Sequence, residues 1–290
     1  MPPAIRCVHQ AGALLGEAPV WVASEQALFW LDVKGCQIHR YDPVTGACRS
    51  IRTPFRVGSL APRAGGGFVG GSERGFVLID EALSRFDVIA HPEPELPGNR
   101  FNDGKVDPQG RFWAGTMDDA EEASTGALYR LDPTLQWSRQ DAGYRVPNGP
   151  AFSPDGSVLY HTDSPARTVY RYELSPEGEL RGKTVFARFG AEHGHPDGMT
   201  TDAEGNLLIA FWDGWCIRKV SPSGEVIQAI VLPVQRPTSC AFGGEQHDIL
   251  FVTSARIDLS EAELEKQPQA GHLFSITGAG RGMPAPVFAG

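Results

Sequence analysis

Five polar residues begin similar stretches of this chain, and their side chains could bind a metal ion. They are Glu17, Asn102, Asn148, Asp197 and Thr238. Carboxylate and amide oxygens suit hard or borderline divalent cations such as Ca²⁺, Mg²⁺, Mn²⁺ or Zn²⁺. Two carboxylates held close together would repel each other unless a cation lies between them. The question is therefore which elements would bring these residues together.

The stretches that follow these residues repeat one pattern. Each has a polar residue, a short strand, a turn that contains glycine, and then an apolar strand; the clearest copies begin at Asn102, Asn148, Asp197 and Thr238. Glycine and aspartate supply the backbone conformations and local hydrogen bonds that hairpins need. A third strand that alternates apolar and polar residues follows each copy. Two weaker copies begin at Glu17 and Val57.

Six units of roughly 40–50 residues, each with three or four strands, predict an all-β six-bladed β-propeller. A sandwich would not repeat in this way, and a β-helix would need much shorter repeats. We expect residues 1–290 to form a single domain, since no linker separates the repeats. A strand from about Ala4 to Gln10 is expected to pair with the last blade and close the ring, which hides a sheet edge. Residues 258–269 are expected to contain one short helix.

In a propeller, equivalent positions of different blades become neighbours at one end of the central channel. This placement predicts that Glu17, Asn148 and Asp197 bind one metal ion. For a single Asn-Gly or Asp-Gly, the alternative is a side chain that only caps a turn. The joint placement of three oxygen-bearing residues favours the metal site.

The bulk composition limits the partners. The 290 residues are 41% hydrophobic and 21% charged, with a net charge of −9. An acidic chain without a Lys/Arg cluster is not expected to bind nucleic acid. No apolar run is long enough to span a membrane, and no signal peptide is recognisable at the N-terminus. We expect a monomer or a weak homo-oligomer.

The cysteines indicate the compartment. Their number is odd, and no Cys-x-x-Cys motif occurs among Cys7, Cys36, Cys48, Cys216 and Cys240. A disulfide framework or zinc ribbon is therefore not expected. Reduced thiols in a cytoplasmic protein are the simplest interpretation.

At the motifs around these residues, the sequence resembles the regucalcin (senescence marker protein) and gluconolactonase family over nearly its whole length. The matching stretches are GEAPVW (16–21), RFNDGKVDPQGRFWAGTM (100–117), NGPAFSPDG (148–156), PDGMTTDAEG (196–205), TSCAFGG (238–244) and QPQAGHLFSITG (267–278). The resemblance implies a six-bladed propeller and hydrolysis of a lactone ring with one divalent metal.

Carried over motif by motif, the resemblance assigns the site. Glu17, Asn148 and Asp197 resemble the metal ligands, and Arg100 and Asn102 match the pair that contacts the substrate. The family also uses an acidic residue shortly after the GTM motif. Counting from Met117 reaches Ala120, which Asp119 and Glu121 flank. We choose Glu121 as the third substrate-binding residue.

The predicted reaction is hydrolysis of an aldonolactone, such as gluconolactone, galactonolactone, arabinolactone or xylonolactone, to the aldonic acid. A divalent metal would polarise the carbonyl and activate water, with Asp197 as the general base. Ca²⁺, Zn²⁺, Mn²⁺, Mg²⁺ and Fe²⁺ remain open. A serine-hydrolase elbow is absent, which disfavours an acyl-enzyme route. The alternatives are a calcium-binding regulatory protein with little turnover, and a hydrolase of other esters or organophosphates.

Overall fold

The computed structural model describes residues 3–290, and within them nearly all regular structure is β-strand. The chain begins with β1 (Ala4–His9), after which the first sheet contains β2 (Gly16–Val22), β3 (Ala27–Asp32), β4 (Gln37–Tyr41) and β5 (Cys48–Arg52). The second sheet contains β6 (Val57–Pro62), β7 (Phe68–Ser72), β8 (Gly75–Ile79) and β9 (Phe86–Ala90). The third contains β10 (Asn99–Val106), β11 (Phe112–Asp118), β12 (Gly126–Leu131) and β13 (Trp137–Tyr144).

The remaining three sheets continue this order. The fourth contains β14 (Pro147–Phe152), β15 (Val158–Asp163), β16 (Thr168–Leu174) and β17 (Leu180–Arg188). The fifth contains β18 (His195–Thr201), β19 (Leu207–Trp212), β20 (Cys216–Val220) and β21 (Val226–Val231). The sixth contains β22 (Pro237–Gly243), β23 (Ile249–Ser254) and β24 (Leu273–Thr277), with α1 (Glu261–Lys266) between the last two strands.

Each sheet is antiparallel and has four strands, so the sheets are the six blades that the repeats predict. The all-β six-bladed β-propeller is confirmed. The sixth blade takes its fourth strand from the chain start, because β1 pairs with β24 in a register that joins Ala4 to Thr277 and Arg6 to Ser275. The short helix lies inside the predicted segment 258–269, and a capping box between Ser260 and Glu263 begins it.

The chain divides into two compact units. The first unit contains the chain up to Arg52 together with Phe189–Ala285, and the second contains Thr53–Arg188 with Pro286–Gly290. The first unit therefore carries blades one, five and six, and the second carries blades two, three and four. Buried aliphatic and aromatic side chains fill each unit, such as Leu250 and Phe274 in the first and Phe101 and Phe112 in the second. Burial of such side chains is the main favourable contribution to folding.

The first strand of every blade has an irregular register close to its start. The irregularities fall between Glu17 and Val20, Val57 and Ser59, Phe101 and Gly104, Asn148 and Ala151, Pro196 and Met199, and Pro237 and Ser239. A β-bulge breaks the ladder locally and re-aims the side chains around it. The six positions where the sequence repeats begin are thus the positions at which the strands depart from regular pairing.

No helix in residues 3–290 combines the length and the apolar character that a membrane-spanning helix requires. All five cysteines are free thiols, and two of them, Cys216 and Cys240, are buried.

Candidate active site

Arg100 lies near the start of β10, and its side chain is only 5% exposed. Its Nε donates to Oδ1 of Asp119 at 2.6 Å. Its Nη1 donates to the backbone carbonyl of Phe101 at 3.1 Å and to Oδ1 of Asn102 at 3.0 Å. A guanidinium has five N–H groups in a fixed fork. Three of these hydrogens are engaged within the protein, and no group in the described part of the chain accepts from Nη2.

Asp119 joins Arg100 to a second arginine. Nη1 of Arg56 donates to both carboxylate oxygens of Asp119, at 2.9 and 2.8 Å, and its Nε donates to Glu73 at 2.6 Å. Burial alone would lower the pKa of Arg56, but the hydrogen bonds to Asp119 and Glu73 outweigh burial and raise it. The cation at Arg56 is therefore fixed, and it holds Asp119 in place for Arg100.

These residues line a cleft of about 540 Å³ that lies wholly within the second unit. Its charged lining consists of three arginines and three carboxylates, namely Arg56, Arg74, Arg100, Glu73, Asp118 and Asp119. Arg74 packs its guanidinium over the ring of Phe55 at 4.8 Å from the centroid. Equal numbers of opposite charges give the cleft many hydrogen-bonding groups without a strong excess of either sign.

The hydrogen bonds continue from Arg100 towards the fourth blade. Nδ2 of Asn102 donates to the carbonyl of Pro147 at 2.9 Å and to Oδ1 of Asn148 at 3.0 Å. Nδ2 of Asn148 donates in turn to the hydroxyl of Ser164 at 2.8 Å. Asn148 and Ser164 are 3% and 7% exposed, respectively. The structure therefore joins the predicted substrate-contacting pair to one predicted metal ligand through the hydrogen bond from Asn102 to Asn148.

Asp103 holds the backbone beside Asn148 through a hydrogen bond. Gly149 has a positive φ of 79°, which glycine adopts without strain. Its N–H donates to Oδ2 of Asp103 at 2.9 Å. Complete burial raises the pKa of Asp103, although Lys105 and the N–H groups of Gly104 and Gly149 oppose this shift. This contact fixes the irregular start of β14 that presents the Asn148 side chain.

The two predicted carboxylate ligands lie in the first unit, also at the irregular starts of their strands. Glu17 is 9% exposed, and its Oε2 accepts from the N–H of Ala18 at 3.2 Å. Asp197 is 6% exposed, and its Oδ1 accepts from the N–H of Gly198 at 2.9 Å. A Cβ at Gly198 would lie 2.3 Å from the hydroxyl oxygen of Ser239, so only glycine fits after Asp197.

The common metal site of Glu17, Asn148 and Asp197 stays a prediction, because Asn148 belongs to a different unit from the two carboxylates. Within residues 3–290, no group of three or more His, Cys, Asp or Glu side chains could hold a metal ion. The predicted set differs from such a group in that its third member is an amide. Its chemistry fits a divalent cation, because two nearly buried carboxylates and one amide oxygen are all hard oxygen donors.

Glu121, the acidic residue chosen from the sequence, lies outside the cleft lining. It is exposed and has a left-handed φ of 58°, and its backbone carbonyl accepts from Nε of Arg145. Asp119, the acidic residue on the other side of Ala120, pairs with Arg100 instead. The role of Glu121 stays a prediction, and the contacts favour Asp119 as the carboxylate that acts with Arg100.

Sequence reasoning missed two members of this hydrogen-bonded chain, Arg56 and Ser164, and named Asp119 but chose Glu121 instead. Arg56 directly precedes the second repeat start at Val57, and Ser164 directly follows the apolar strand of the fourth repeat. Asp119 flanks the position that counting from the GTM motif reaches. Positions adjacent to repeat starts and strand ends therefore carried information that the alignment of the starts alone did not use.

The comparisons with known proteins agree with this fold. Residues 15–256 match the family model described as the SMP-30/gluconolactonase/LRE-like region. The chain belongs to this family. Among its relatives, the 6-deoxy-6-sulfogluconolactonase of Pseudomonas putida is 36% identical over 291 residues and covers 100% of both chains. The regucalcin of Danio rerio is 36% identical over 292 residues, which cover 99% of this chain and 98% of the relative.

A solved structure of a family member has the same fold. The calcium-binding protein regucalcin from Agrobacterium tumefaciens superposes with a TM-score of 0.94 at 29% sequence identity. The alignment covers 98% of this chain and 97% of that one. The family resemblance noted from the motifs is thus confirmed along the full length of the chain.

Proposed function

We propose that this protein hydrolyses a sugar lactone to the corresponding aldonic acid with the help of one divalent metal ion. The observation that carries the proposal is the hydrogen-bonded series Arg100, Asn102 and Asn148 beside the cleft. It joins the residues expected to bind a polyhydroxylated substrate to a residue expected to bind the metal. Membership of a family whose members include a sulfogluconolactonase supports the same reaction.

Glu17, Asn148 and Asp197 are the residues proposed to hold the ion. When bound, a divalent cation supplies Lewis-acid polarisation of the lactone carbonyl and makes water more acidic. Two observations support these three residues. Each is buried at the irregular start of its own blade, and each offers a carboxylate or amide oxygen as a ligand. The identity of the ion among Ca²⁺, Zn²⁺, Mn²⁺, Mg²⁺ and Fe²⁺ is left to the experiment, because oxygen ligands discriminate poorly between them.

The protein's own groups have distinct proposed tasks. Asp197 takes a proton on a carboxylate oxygen from the attacking water and so serves as the general base. Arg100 directs its Nη2 hydrogens to lactone or hydroxyl oxygens of the substrate, where charged hydrogen bonds are strong. Asn102 contacts a substrate hydroxyl, and Glu121 remains the acidic residue expected from the sequence, with Asp119 as the candidate that the contacts favour.

The charges around the cleft favour a neutral substrate. Three arginines and three carboxylates balance each other in its lining, so a strongly anionic lactone gains little from the summed field. We therefore propose neutral aldonolactones, including gluconolactone, galactonolactone, arabinolactone and xylonolactone, as the substrate class. The proposed setting is the cytoplasm, in accord with five free thiols, and the oligomeric state is expected to be a monomer or a weak homo-oligomer.

A calcium-binding protein with little turnover is the second candidate, because the Agrobacterium tumefaciens regucalcin is described as calcium-binding. Acid release from the four lactones, measured above the spontaneous rate with each of the five cations, separates the candidates. The lactonase proposal expects metal-supported turnover that Asp197→Asn abolishes without unfolding the protein. If no lactone is hydrolysed above background with any cation, the lactonase proposal fails. Hydrolysis of other esters or of organophosphates, without hydrolysis of the four lactones, would indicate a hydrolase of a different substrate class.

A further inference from the structure

The side chain of Asn102 has almost no hydrogen-bonding capacity left for a substrate. A carboxamide has two N–H donors and one carbonyl oxygen with two lone pairs. Both hydrogens of Nδ2 are engaged, one by the carbonyl of Pro147 at 2.9 Å and the other by Oδ1 of Asn148 at 3.0 Å. Oδ1 already accepts from Arg100. A substrate hydroxyl can therefore donate to the second lone pair of Oδ1, but Asn102 has no N–H to offer in return.

The orientation of the Asn102 amide follows from its neighbour. An amide can present either its oxygen or its nitrogen to a partner, and the surrounding hydrogen bonds decide which. A guanidinium only donates, so Arg100 requires the oxygen of Asn102 on its side. The nitrogen of Asn102 must then face the fourth blade. Asp119 holds the Nε of Arg100 at 2.6 Å, so the guanidinium that sets this orientation is itself fixed.

The same argument fixes the amide of Asn148. Its oxygen accepts from Nδ2 of Asn102, and its nitrogen donates to the hydroxyl of Ser164 at 2.8 Å. A flipped Asn148 would place two N–H donors against each other at Asn102, whereas the hydroxyl of Ser164 can donate or accept and holds the amide in either orientation. With both neighbours in place, Oδ1 of Asn148 is oriented and keeps one further lone pair. A cation can bind this oxygen, but it cannot bind the amide nitrogen, because that nitrogen carries two hydrogens and offers no free lone pair.

We propose that Asn102 and Ser164 are positioning residues that orient the carbonyl oxygen of Asn148 for the metal ion. This inference rests on the proposed metal site, and it gives Asn102 a main task other than substrate contact. Groups that hydrogen-bond to a metal ligand orient it, and their removal commonly weakens metal binding by about 10–100-fold. Ser164 is the cleaner test, because its hydroxyl accepts from Asn148 and it is absent from the cleft lining.

The decisive experiment measures the dissociation constant of Mn²⁺ for the metal-stripped full-length protein by isothermal titration calorimetry. Ser164→Ala is expected to raise this constant at least tenfold, whereas Ser164→Thr, which keeps the hydroxyl, should stay within about threefold of the wild type. Ser72→Ala is the matched control. Ser72 is buried at the end of the second strand of its blade, and within residues 3–290 its hydroxyl bonds only to backbone groups of Gly75 and Arg74.

Asn102→Ala separates a positioning role from a role in substrate binding alone. A positioning role expects weaker Mn²⁺ binding by about tenfold or more in the absence of any lactone. If Asn102 only contacts the substrate, the Mn²⁺ constant stays at the wild-type value while KM for gluconolactone rises at saturating Mn²⁺, and the inference is overturned. This variant also decides the question if thermal unfolding shows that Ser164→Ala does not fold.

The two levels of the proposal fail in different ways. A wild-type protein that binds no Mn²⁺ at one ion per chain overturns the metal site, and the positioning role falls with it. A wild-type protein that binds one Mn²⁺, together with Ser164→Ala and Asn102→Ala proteins that bind it equally well, overturns only the positioning role. The expected pattern is tight binding by the wild type, Ser164→Thr and Ser72→Ala, and weakened binding by the other two variants.

Discussion

Two arginine–aspartate pairs lie at opposite ends of the same strand pair, β10 and β11, and they have opposite surroundings. At the turn between the strands, Nε of Arg111 donates to Oδ2 of Asp107 at 2.6 Å. At the other end, Nε of Arg100 donates to Oδ1 of Asp119, also at 2.6 Å. The two bonds have the same length, so the difference between the pairs lies in the remaining donors and acceptors.

At the turn, every nitrogen of Arg111 and both oxygens of Asp107 have a partner within the protein. Asp107 also accepts from the N–H groups of Gln109 and Arg111, both at 3.0 Å, and from the indole of Trp113 at 2.8 Å. The other two nitrogens of Arg111 donate to the carbonyl of Pro176 and to the side chain of Gln109. Buried polar groups in which every nitrogen and oxygen has a partner stabilise a fold and leave little for a ligand.

The pair at the cleft is joined to a further charge, Arg56, and one of its nitrogens, Nη2 of Arg100, still has hydrogens to donate. Asp119 is shared with Arg56, and Arg100 passes its hydrogen bonds on to Asn102 while Nη2 faces no acceptor within the described residues. Surplus donors on a side chain that is otherwise held rigid are what a binding site needs. The two pairs therefore differ in their unused donors and not in their length: Asp107–Arg111 is the structural pair, and Arg100–Asp119 is the functional pair.

The structural pair should produce the largest change when it is broken. Asp107→Ala leaves Arg111 with an unpaired buried charge, which typically costs about 3–5 kcal/mol of the free energy of unfolding. Urea unfolding measures this loss, and kcat/KM per folded molecule should remain at the wild-type value. Asp87→Ala, which removes one partner of the exposed Arg85–Asp87 pair, is the control and should change stability by less than about 1 kcal/mol. A destabilisation by Asp107→Ala no greater than that of the control would contradict the assignment.

The functional pair should show the reverse pattern. Arg100→Met keeps much of the side-chain volume but removes every donor, and Asp119 keeps Arg56 as a partner. Loss of charged hydrogen bonds worth about 1.5–3 kcal/mol lowers kcat/KM for the lactone by about 10–100-fold. Steady-state kinetics and urea unfolding of the same preparation test both halves of the statement. Unchanged kcat/KM together with a large loss of stability would make this pair structural as well.

Asp119 and Glu121 can be compared directly as the acidic residue of the site. Asp119→Asn weakens the hold on Arg100 and should raise KM by about threefold to tenfold, because Arg100 keeps its bonds to Phe101 and Asn102. Glu121→Gln should change KM by less, since Glu121 lies outside the cleft lining. A larger effect of Glu121→Gln on KM would support Glu121, the residue chosen from the sequence, over Asp119 as the acidic residue of the site.

A third pair, Asp141 with Lys183, extends the comparison to a partly exposed position and should have the smallest effect. Burial alone would raise the pKa of Asp141, but hydrogen bonds from Lys183, Tyr144 and Tyr172 outweigh burial and lower it to about 2. A carboxyl whose folded-state pKa lies below its unfolded value of about 3.9 stabilises the fold above that pH.

This stabilisation disappears as the pH falls from about 4 through 2. Solvent screening limits it to about 1 kcal/mol at neutral pH. The stability difference between the wild type and Asp141→Asn, measured by urea unfolding, should therefore shrink between pH 5 and pH 2. A stability difference that grows as the pH falls through this range would contradict a lowered folded-state pKa of Asp141.

The sequence predicted the blades because each repeat encodes its own hairpins locally. Glycine and aspartate in the turns, and alternation in the third strands, determine each sheet without any long-range information. Alignment of the turns also found the repeat starts at Glu17, Asn148 and Asp197, and the register irregularities of the first strands fall at these same positions. The contact between β1 and β24 followed from the unpaired sheet edge that a closed ring does not tolerate.

The partners of the site residues could not be predicted in the same way. Ser164 and Asn148 are 16 residues apart, and Arg56 and Asp119 are 63 apart, so their contacts depend on how strands of one blade and of neighbouring blades pack. The choice between Asp119 and Glu121 depends on the conformation of a loop whose residues have no repeat to align. Orientation of an amide depends on every neighbour at once, which no local pattern encodes.

The central claim is that a divalent ion and the Arg100–Asn102–Asn148 series act in one lactonase site. The most direct measurement follows the rate of acid release from gluconolactone, above the spontaneous rate, as Mn²⁺ is titrated into the metal-stripped protein. We expect the stripped protein to be inactive, and activity to return and saturate at one ion per chain. Full activity after stripping, with no response to added Mn²⁺ or to the other four cations, would contradict the account.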